Sequence, residues 1–435
     1  MTSSSIRSGS ANTYDTAVRN ISMRQNALST LQENLTSGKK IVRASDDPTG
    51  AASAERALTR ISRIAADQRA LESQRNAIAM AEGTLGDITE SLQEFRELVV
   101  SAGNGTFSAA ERLSVAGQLS GLRDQILNLA NRKDTNGLPL FSGLGSALTP
   151  FTGPQATAPD YTFQGLPGQS STSDVAIPST LDGDNAFMLQ LGRDQAFNVK
   201  TSALLPGAFP RQFPLGTSAV TITNPNLVTS DSYSITINNV TVGPLVGTGV
   251  ATYTITGSPS GYTETTNSAP FNSSLPISLP IPDPNGLTVP GGITPIGMPG
   301  LSLSITGDIR IGDTFQFKSE PSVFSVLDSA IRDVSNAQSS ANVRQAVDQA
   351  LNNIDIGMGR ISAVRGQAGD LLNRADRISG NQEKRSIQLE SDRSRAEDMD
   401  MLQGISDFNN KQTGYQAALQ TYAQVQKISL FNYLS

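Results

Sequence analysis

The chain has 435 residues, with 33 Lys plus Arg against 39 Asp plus Glu, and no His, Cys or Trp. At roughly 100–200 residues per domain, this length accommodates two to four domains. Without Cys there is no disulfide framework, thiolate zinc site or cysteine nucleophile; without His there is no Ser-His-Asp triad and no imidazole ligand. The net charge of -6 carries no basic patch, which argues against nucleic-acid binding. No apolar run is long enough for a membrane span, and the start, MTSSSIRSGSANTY, lacks the apolar stretch of a cleaved secretory signal.

Composition changes near residues 145 and 320. Positions 141–320 hold only 16 of the 72 charged residues, and 18 of the 22 prolines fall between Pro154 and Pro299. Both flanks are rich in Ala, Gln, Arg, Leu and Ser, whereas the middle is rich in Thr, Ser, Gly, Pro and Asn. The expected fold is mainly α, a long coiled-coil bundle of N- and C-terminal segments, with an inserted β-rich middle domain. The expected divisions are 1–42 (N-terminal assembly helix), 43–144 and 321–400 (the two parts of the helical core), 145–320 (the insert) and 401–435 (C-terminal assembly helix).

In the first flank, Tyr14, Ile21, Leu28 and Leu35 fall seven apart. Ala57, Ile64, Leu71, Ile78, Leu85, Leu92 and Val99 repeat that spacing. Ile88 and Phe95 fill the intermediate positions of the second half, while Arg60, Asp67 and Gln74 stand there in the first. Sustained heptads of this kind predict a long helix. Its start is legible in Ser45-Asp46-Asp47-Pro48, with Asp47 as N-cap and Pro48 as first helical residue. Gly83 and Gly86 are candidates for a bend. A further helix begins at Ser108-Ala-Ala-Glu111, which has capping-box spacing. Asn136-Gly137 then predicts a turn.

The middle predicts short strands at 232–238, 251–256 and 301–305, from alternation and β-branching. Residues 257–300 read as an irregular loop. In the second flank, Phe324, Leu327, Ile331 and Val334 predict a short helix. A long one carries Val343 through Ile378, its phase continuing past Leu389 and Ala396 to Met399. A last amphipathic segment with Ile405, Phe408, Tyr415, Leu419, Tyr422 and Tyr433 holds only three charges after position 400.

Asp46-Asp47 and Asp398-Met-Asp400 are the compact carboxylate clusters. No further ligands lie near them, so the first reads as a helix cap and the second as a solvated helix face. The expectation is no catalytic residue, no metal site and no cofactor. The low-charge amphipathic ends must bury their apolar faces somewhere, which favours an assembly protein over an enzyme.

Leu35-Thr-Ser-Gly-Lys-Lys-Ile41 followed by Ala44-Ser-Asp-Asp-Pro48 resembles the signature shared by bacterial flagellins and the hook-associated protein 3 (FlgL) family. Asn136-Gly137 through Leu140-Phe-Ser-Gly143 resembles the stretch where both leave the helical core, while Gly312-Asp-Thr-Phe315, Gln412-Thr-Gly-Tyr-Gln-Ala-Ala-Leu419 and the ending Ile428-Ser-Leu-Phe-Asn-Tyr-Leu434 resemble the second of these. The resemblance covers about 1–145 and 305–435. It marks Ser37, Gly38, Ser45, Asp46, Asp47 and Pro48 as family motif. It implies a structural junction protein of the flagellum, between hook and filament, exported without a cleaved signal to the cell exterior. The partners implied are hook-associated protein 1, flagellin, copies of itself and an export chaperone, with neither nucleic acid nor membrane. The assembly interface expected from both readings comprises Tyr14, Ile21, Leu28, Leu35, Phe408, Tyr415, Leu419, Tyr422, Leu430, Phe431, Tyr433 and Leu434. Flagellin itself is the neighbouring alternative, and a secreted coiled-coil adhesin with a β-rich binding domain is the alternative from another class.

Overall fold

The seven-residue repeats of both flanks are realised as helices. In the computed structural model, the residues described are 10–155, 160–202, 211, 213, 215–243, 248–261, 263–272, 279–280, 298, 300–337 and 340–434. In chain order the helices are α1 (Ser10–Ser37), α2 (Pro48–Ala102), α3 (Ala109–Ala130), the short α4 (Gly183–Phe187), α5 (Val323–Asn336), α6 (Ser340–Glu397) and α7 (Met401–Leu434). The chain divides into two compact units, 1–69 with 378–435, and 70–377. The protein is thus mainly α with a β-rich middle.

Within the 70–377 unit, Leu71, Ile78, Leu85, Leu92 and Val99 of α2 are buried, together with Ala81, Ile88 and Phe95. On α6, Ile354, Ile361, Val364, Ala368 and Ala375 are buried in turn. The two helices run antiparallel, as three ion pairs record: Arg75 Nε–Asp376 Oδ1 at 3.0 Å, Arg365 Nε–Glu82 Oε1 at 2.7 Å and Arg96 Nε–Asp355 Oδ1 at 3.0 Å. Exposed pairs such as these set register more than stability, each contributing ~0–1 kcal/mol. α2 passes through Gly83 and Gly86 without interruption. Gln74 is not a flaw in the seam, because its Oε1 accepts the Ile177 N–H at 3.0 Å. Ser108 and Glu111 cap α3 reciprocally, each side chain accepting the other's backbone N–H.

Earlier in α2, Ala54, Ala57 and Ile64 are buried but Arg60 is exposed. The half-buried Ile61 completes the stripe there, four residues after Ala57 instead of three. After Ile64 the polar pair Asp67 and Gln68 is half-buried, so the stripe has no apolar residue between Ile64 and Leu71. At the other end, α6 stops at Glu397, so Met399 lies in a break and not in a continuing helix.

The strands are β1 (Phe151–Thr152), β2 (Thr162–Phe163), β3 (Ala196–Ser202), β4 (Gly216–Thr217), β5 (Thr221–Ile222), β6 (Ser232–Val242), β7 (Thr248–Ser258), β8 (Thr263–Asn272), β9 (Leu279–Pro280), β10 (Leu301–Ser302), β11 (Ser304–Thr306) and β12 (Thr314–Glu320). The main sheet is antiparallel in the order β3-β12-β6-β7-β8. One face is polar. The other buries Phe197, Tyr233, Ile235, Tyr253, Ile255, Phe315 and Phe317 against Leu301, Leu303 and Ile305. Strand β8 corrects the loop expected over 257–300. Its Pro270 is tolerated because β8 is an edge strand, where a missing N–H need not interrupt a two-sided ladder. Residues 262, 273–278, 281–297 and 299 of that span lie outside the described residues.

Between α3 and β3 the chain crosses a buried aromatic cluster. Phe324 of α5 stacks on Phe187 at 5.6 Å between centroids and meets Tyr161 at 5.3 Å and Phe151 at 5.5 Å. The Tyr161 hydroxyl donates to Asp328 Oδ2 at 2.7 Å and accepts from Arg123, which also pairs with Asp328. Burial, followed by the Asp328 carboxylate, pushes the Tyr161 hydroxyl far above its ordinary range.

A candidate assembly surface

The unit formed by 1–69 and 378–435 is built around a turn. After α1, Gly38 takes φ +72°, a left-handed conformation that other residues adopt at a cost. The chain then pairs with the break after α6: Lys40 N donates to Glu397 O at 2.8 Å, and Met399 N to Gly38 O at 2.9 Å. The Lys39 ammonium pairs with the Glu397 carboxylate. Ser37 Oγ donates to Asn34 O at 3.1 Å and accepts Lys39 N–H at 3.3 Å.

The two adjacent aspartates divide the rest of the turn. Asp46 Oδ2 accepts Arg43 N–H at 2.9 Å and Val42 N–H at 3.3 Å, closing the loop. Asp47 Oδ1 accepts Gly50 N–H and Thr49 N–H, both at 3.0 Å, and the Thr49 hydroxyl at 2.8 Å, capping α2 ahead of Pro48. The Gly50 N–H, then the Thr49 hydroxyl, hold the Asp47 carboxyl below its ordinary range. Gly50 is small of necessity, since a Cβ there would come within 2.5 Å of Asp47 Oδ2 and Ile41 Cδ1. Ser45, exposed, approaches Asp46 Oδ1 only at 3.5 Å.

Asp398 and Asp400 depart from the solvated helix face expected for them. Asp398 forms an isolated antiparallel bridge with Lys39, and Asp400 Oδ1 caps α7 by accepting Leu402 N–H at 3.0 Å and Gln403 N–H at 3.3 Å. The signal was present: an Asp immediately before an apolar run is a helix-start pattern.

α7 packs antiparallel on α1. A Cβ on Gly404 would approach Leu35 Cδ2, one on Gly414 would approach Arg24 Nη1, and Ile21 and Tyr422 line one groove of about 810 Å³ further along the pair. Ile21, Leu28 and Leu35 on α1 are half-buried, as are Phe408, Tyr415 and Tyr422 on α7. Both sets repeat every seven residues, giving each helix one stripe. Leu419 is exposed, and the side chains of Tyr14, Leu430, Phe431, Tyr433 and Leu434 lie outside the described residues.

A second apolar set lies on the outside of this unit. Leu402 is 84% exposed, Met23 60% and Ile405 52%, and Val18, Met401 and Leu419 are exposed with them. Apart from Leu419, none of these stood among the expected interface residues, which followed the seven-residue stripe. Met23 also lines the groove beside Ile21 and Tyr422. These six exposed apolar side chains on two packed helices are the candidates for an interaction surface.

In the 70–377 unit, Glu320 at the end of β12 is buried, and desolvation raises its carboxyl to about 7. Its Oε1 accepts the Ser329 hydroxyl at 2.5 Å, while Oε2 has no partner among the described residues. Burial likewise raises Asp333, which accepts Asn198 Nδ2–H at 2.7 Å. Among the described residues no cluster of three or more carboxylates could hold a metal ion, and no helix is long and apolar enough to cross a membrane.

Comparison with known proteins gives this architecture a family. Residues 10–146 match the bacterial flagellin N-terminal helical region, and residues 344–434 match the bacterial flagellin C-terminal helical region. The flagellar hook-associated protein 3 of Salmonella typhimurium is 31% identical over 196 residues, 44% of this chain and 57% of that protein. Its Escherichia coli counterpart is 33% identical over 147 residues, 32% of this chain and 44% of that protein. The chain thus spans about half the length of these relatives. The crystal structure of the flagellar junction protein FlgL from Legionella pneumophila shares the fold, with a TM-score of 0.52 at 23% identity, covering 74% of this chain and 98% of that one. The two matched regions together span just over half of the chain, which belongs to the flagellin family of non-enzymatic flagellar structural proteins and is similar in sequence to hook-associated protein 3.

Proposed function

We propose that this chain is a junction protein of the bacterial flagellum, joining the hook, through hook-associated protein 1, to the flagellin filament. The observation that carries this reading is the outer apolar set on α1 and α7, in a family whose helical ends are the matched regions. Copies of the chain associate through 1–42 and 401–435, while 43–144 and 321–400 form the helical core and 145–320 faces outward. The inner stripe (Ile21, Leu28, Leu35, Phe408, Tyr415, Tyr422) holds α1 to α7, and Leu402, Ile405, Leu419 and Met23 meet neighbouring subunits. Tyr14, Leu430, Phe431, Tyr433 and Leu434 extend that interface. An export chaperone shields these ends before the chain leaves the cell.

Gold-labelled antibody against this chain on isolated hook–filament preparations tests the proposal. Label confined to one band between hook and filament is expected. Label along the whole filament would instead select flagellin, the reading that the two matched helical regions also allow. Absence of label from the flagellum would overturn both.

A further inference from the structure

The exposed turn between α2 and α3 contains an Asn-Gly pair whose side-chain amide oxygen is held by two donors. Asn104 Oδ1 accepts two hydrogen bonds, from Thr106 N–H at 3.2 Å and from the Thr106 hydroxyl at 3.0 Å. Both withdraw electrons from the carboxamide carbon, and both would stabilise the negative oxygen of a tetrahedral intermediate. The Gly105 N–H makes no hydrogen bond among the described residues, and neither does Asn104 Nδ2. Asn104, Gly105 and Thr106 are all exposed.

The chain supplies its own control at a second exposed Asn-Gly pair. At Asn136-Gly137 the Gly137 N–H is engaged with Asp134 O at 3.1 Å. Asn136 Nδ2 is held by Asp134 Oδ2 at 3.2 Å, and Asn136 N–H by Asp134 Oδ1 at 2.8 Å. Here the nucleophile is occupied, the leaving nitrogen is tied to a carboxylate, and no donor reaches the amide oxygen among the described residues. The third pair, Asn285-Gly286, lies outside the described residues.

We infer that Asn104 is a site of spontaneous deamidation, activated by Thr106, while Asn136 is protected by Asp134. Gly105 N loses its proton to solvent base and bonds to Asn104 Cγ. The Cγ–Nδ2 bond breaks, and the nitrogen takes a proton and leaves as ammonia. Water then opens the cyclic imide to aspartate or isoaspartate. No oxidant, metal or enzyme is required. The product adds one negative charge to the α2–α3 turn, and isoaspartate also adds a methylene to its backbone.

The test is incubation of the purified full-length chain in mildly alkaline buffer, followed by peptide mapping after acidic digestion, with N104D as the standard. Asn104 should convert roughly tenfold faster than Asn136, the ratio expected when hydrogen bonds assist one transition state and oppose the other. T106V, at an exposed position, should slow Asn104 several-fold without altering the circular dichroism spectrum. D134A should accelerate Asn136. Equal conversion of the two asparagines in the unaltered chain would overturn the inference, as would an unchanged Asn104 rate in T106V.

Discussion

The outer apolar set on α1 and α7 can be tested by charge. Replacing Leu402 and Ile405 together by Asp places carboxylates on side chains that are 84% and 52% exposed in the isolated chain. Exposed substitutions of this kind usually shift stability by no more than ~0.5 kcal/mol each, so the monomer should melt nearly as before. Under a neighbouring subunit the consequence differs. Covering a fully exposed side chain of this size contributes about 1.5–3 kcal/mol, and an unpaired carboxylate in its place adds a desolvation cost. Scaled to the exposure of the two residues, loss of the apolar contributions alone weakens association by about 2–4 kcal/mol, or roughly thirtyfold to a thousandfold. The assay is twofold: thermal melting and sedimentation of the purified chain, and filament retention in cells carrying only the double variant. Export with normal melting, no attached filament and flagellin released into the medium is the expected outcome. Normal filaments would refute the reasoning, and so would collapse of the monomer, which would assign these residues to its own core.

I21D, which faces α7 inside the groove, should by contrast loosen the α1–α7 pair in the monomer, read as faster amide exchange along both helices. Glu320 is raised from an ordinary 4.5 to about 7 by burial, so its proton favours the folded state; that stabilisation is complete below 4.5 and is lost as pH rises toward about 7. The interval corresponds to about 3 kcal/mol, and urea titrations of E320Q should show a flatter profile between those pH values than the unaltered chain. F324A removes the ring on which Phe187, Tyr161 and Phe151 converge, and should cost about 3–5 kcal/mol by denaturant unfolding with loss of near-ultraviolet dichroism. For the insert, a chain rejoined from Ser202 to Thr314 should keep its helical flanks better, by melting temperature, than one rejoined from Gly143 to Glu320, because the latter also strips Phe151, Tyr161 and Phe187 from Phe324.

The helices were legible because their apolar spacing is regular and their starts carry caps. The Ser108–Glu111 box and the Asp47–Pro48 pair are local signals that need no tertiary partner. The break at 398–400 carries a helix-start signal in Asp400, but the seven-residue phase running through it to Met399, with no Gly or Pro between, masks that signal. What stops α6 is pairing with residues 38–40, a contact with no trace in the local pattern. Strand β8 was hidden for a related reason. Its Pro270 reads as a loop residue until β7 supplies a neighbour on one side only. The seam steps by four from Ala57 to Ile61 where three was expected, which leaves Arg60 exposed. At the candidate surface the inner stripe could be read from periodicity. Of the outer set only Ile405 and Leu419 could, as members of the last amphipathic segment; the rest could not, because exposure depends on where α1 and α7 meet.

Strands β3 and β12 stand side by side in register, Ala196 opposite Glu320, although 124 residues of sequence separate them. The α2–α6 ion pairs join residues still further apart, up to 301 positions in the case of Arg75 and Asp376. Closing so long a loop in an unstructured chain is entropically costly and kinetically slow. A sheet that closes first changes that problem, since it delivers the chain leaving β12 to the place where the chain entering β3 began. The β-rich segment then serves as a fastener for the helices on either side of it. Helix α2, although synthesised early, cannot find its antiparallel partner until α6 has left the ribosome, so a truncated chain has no route to the finished helical core.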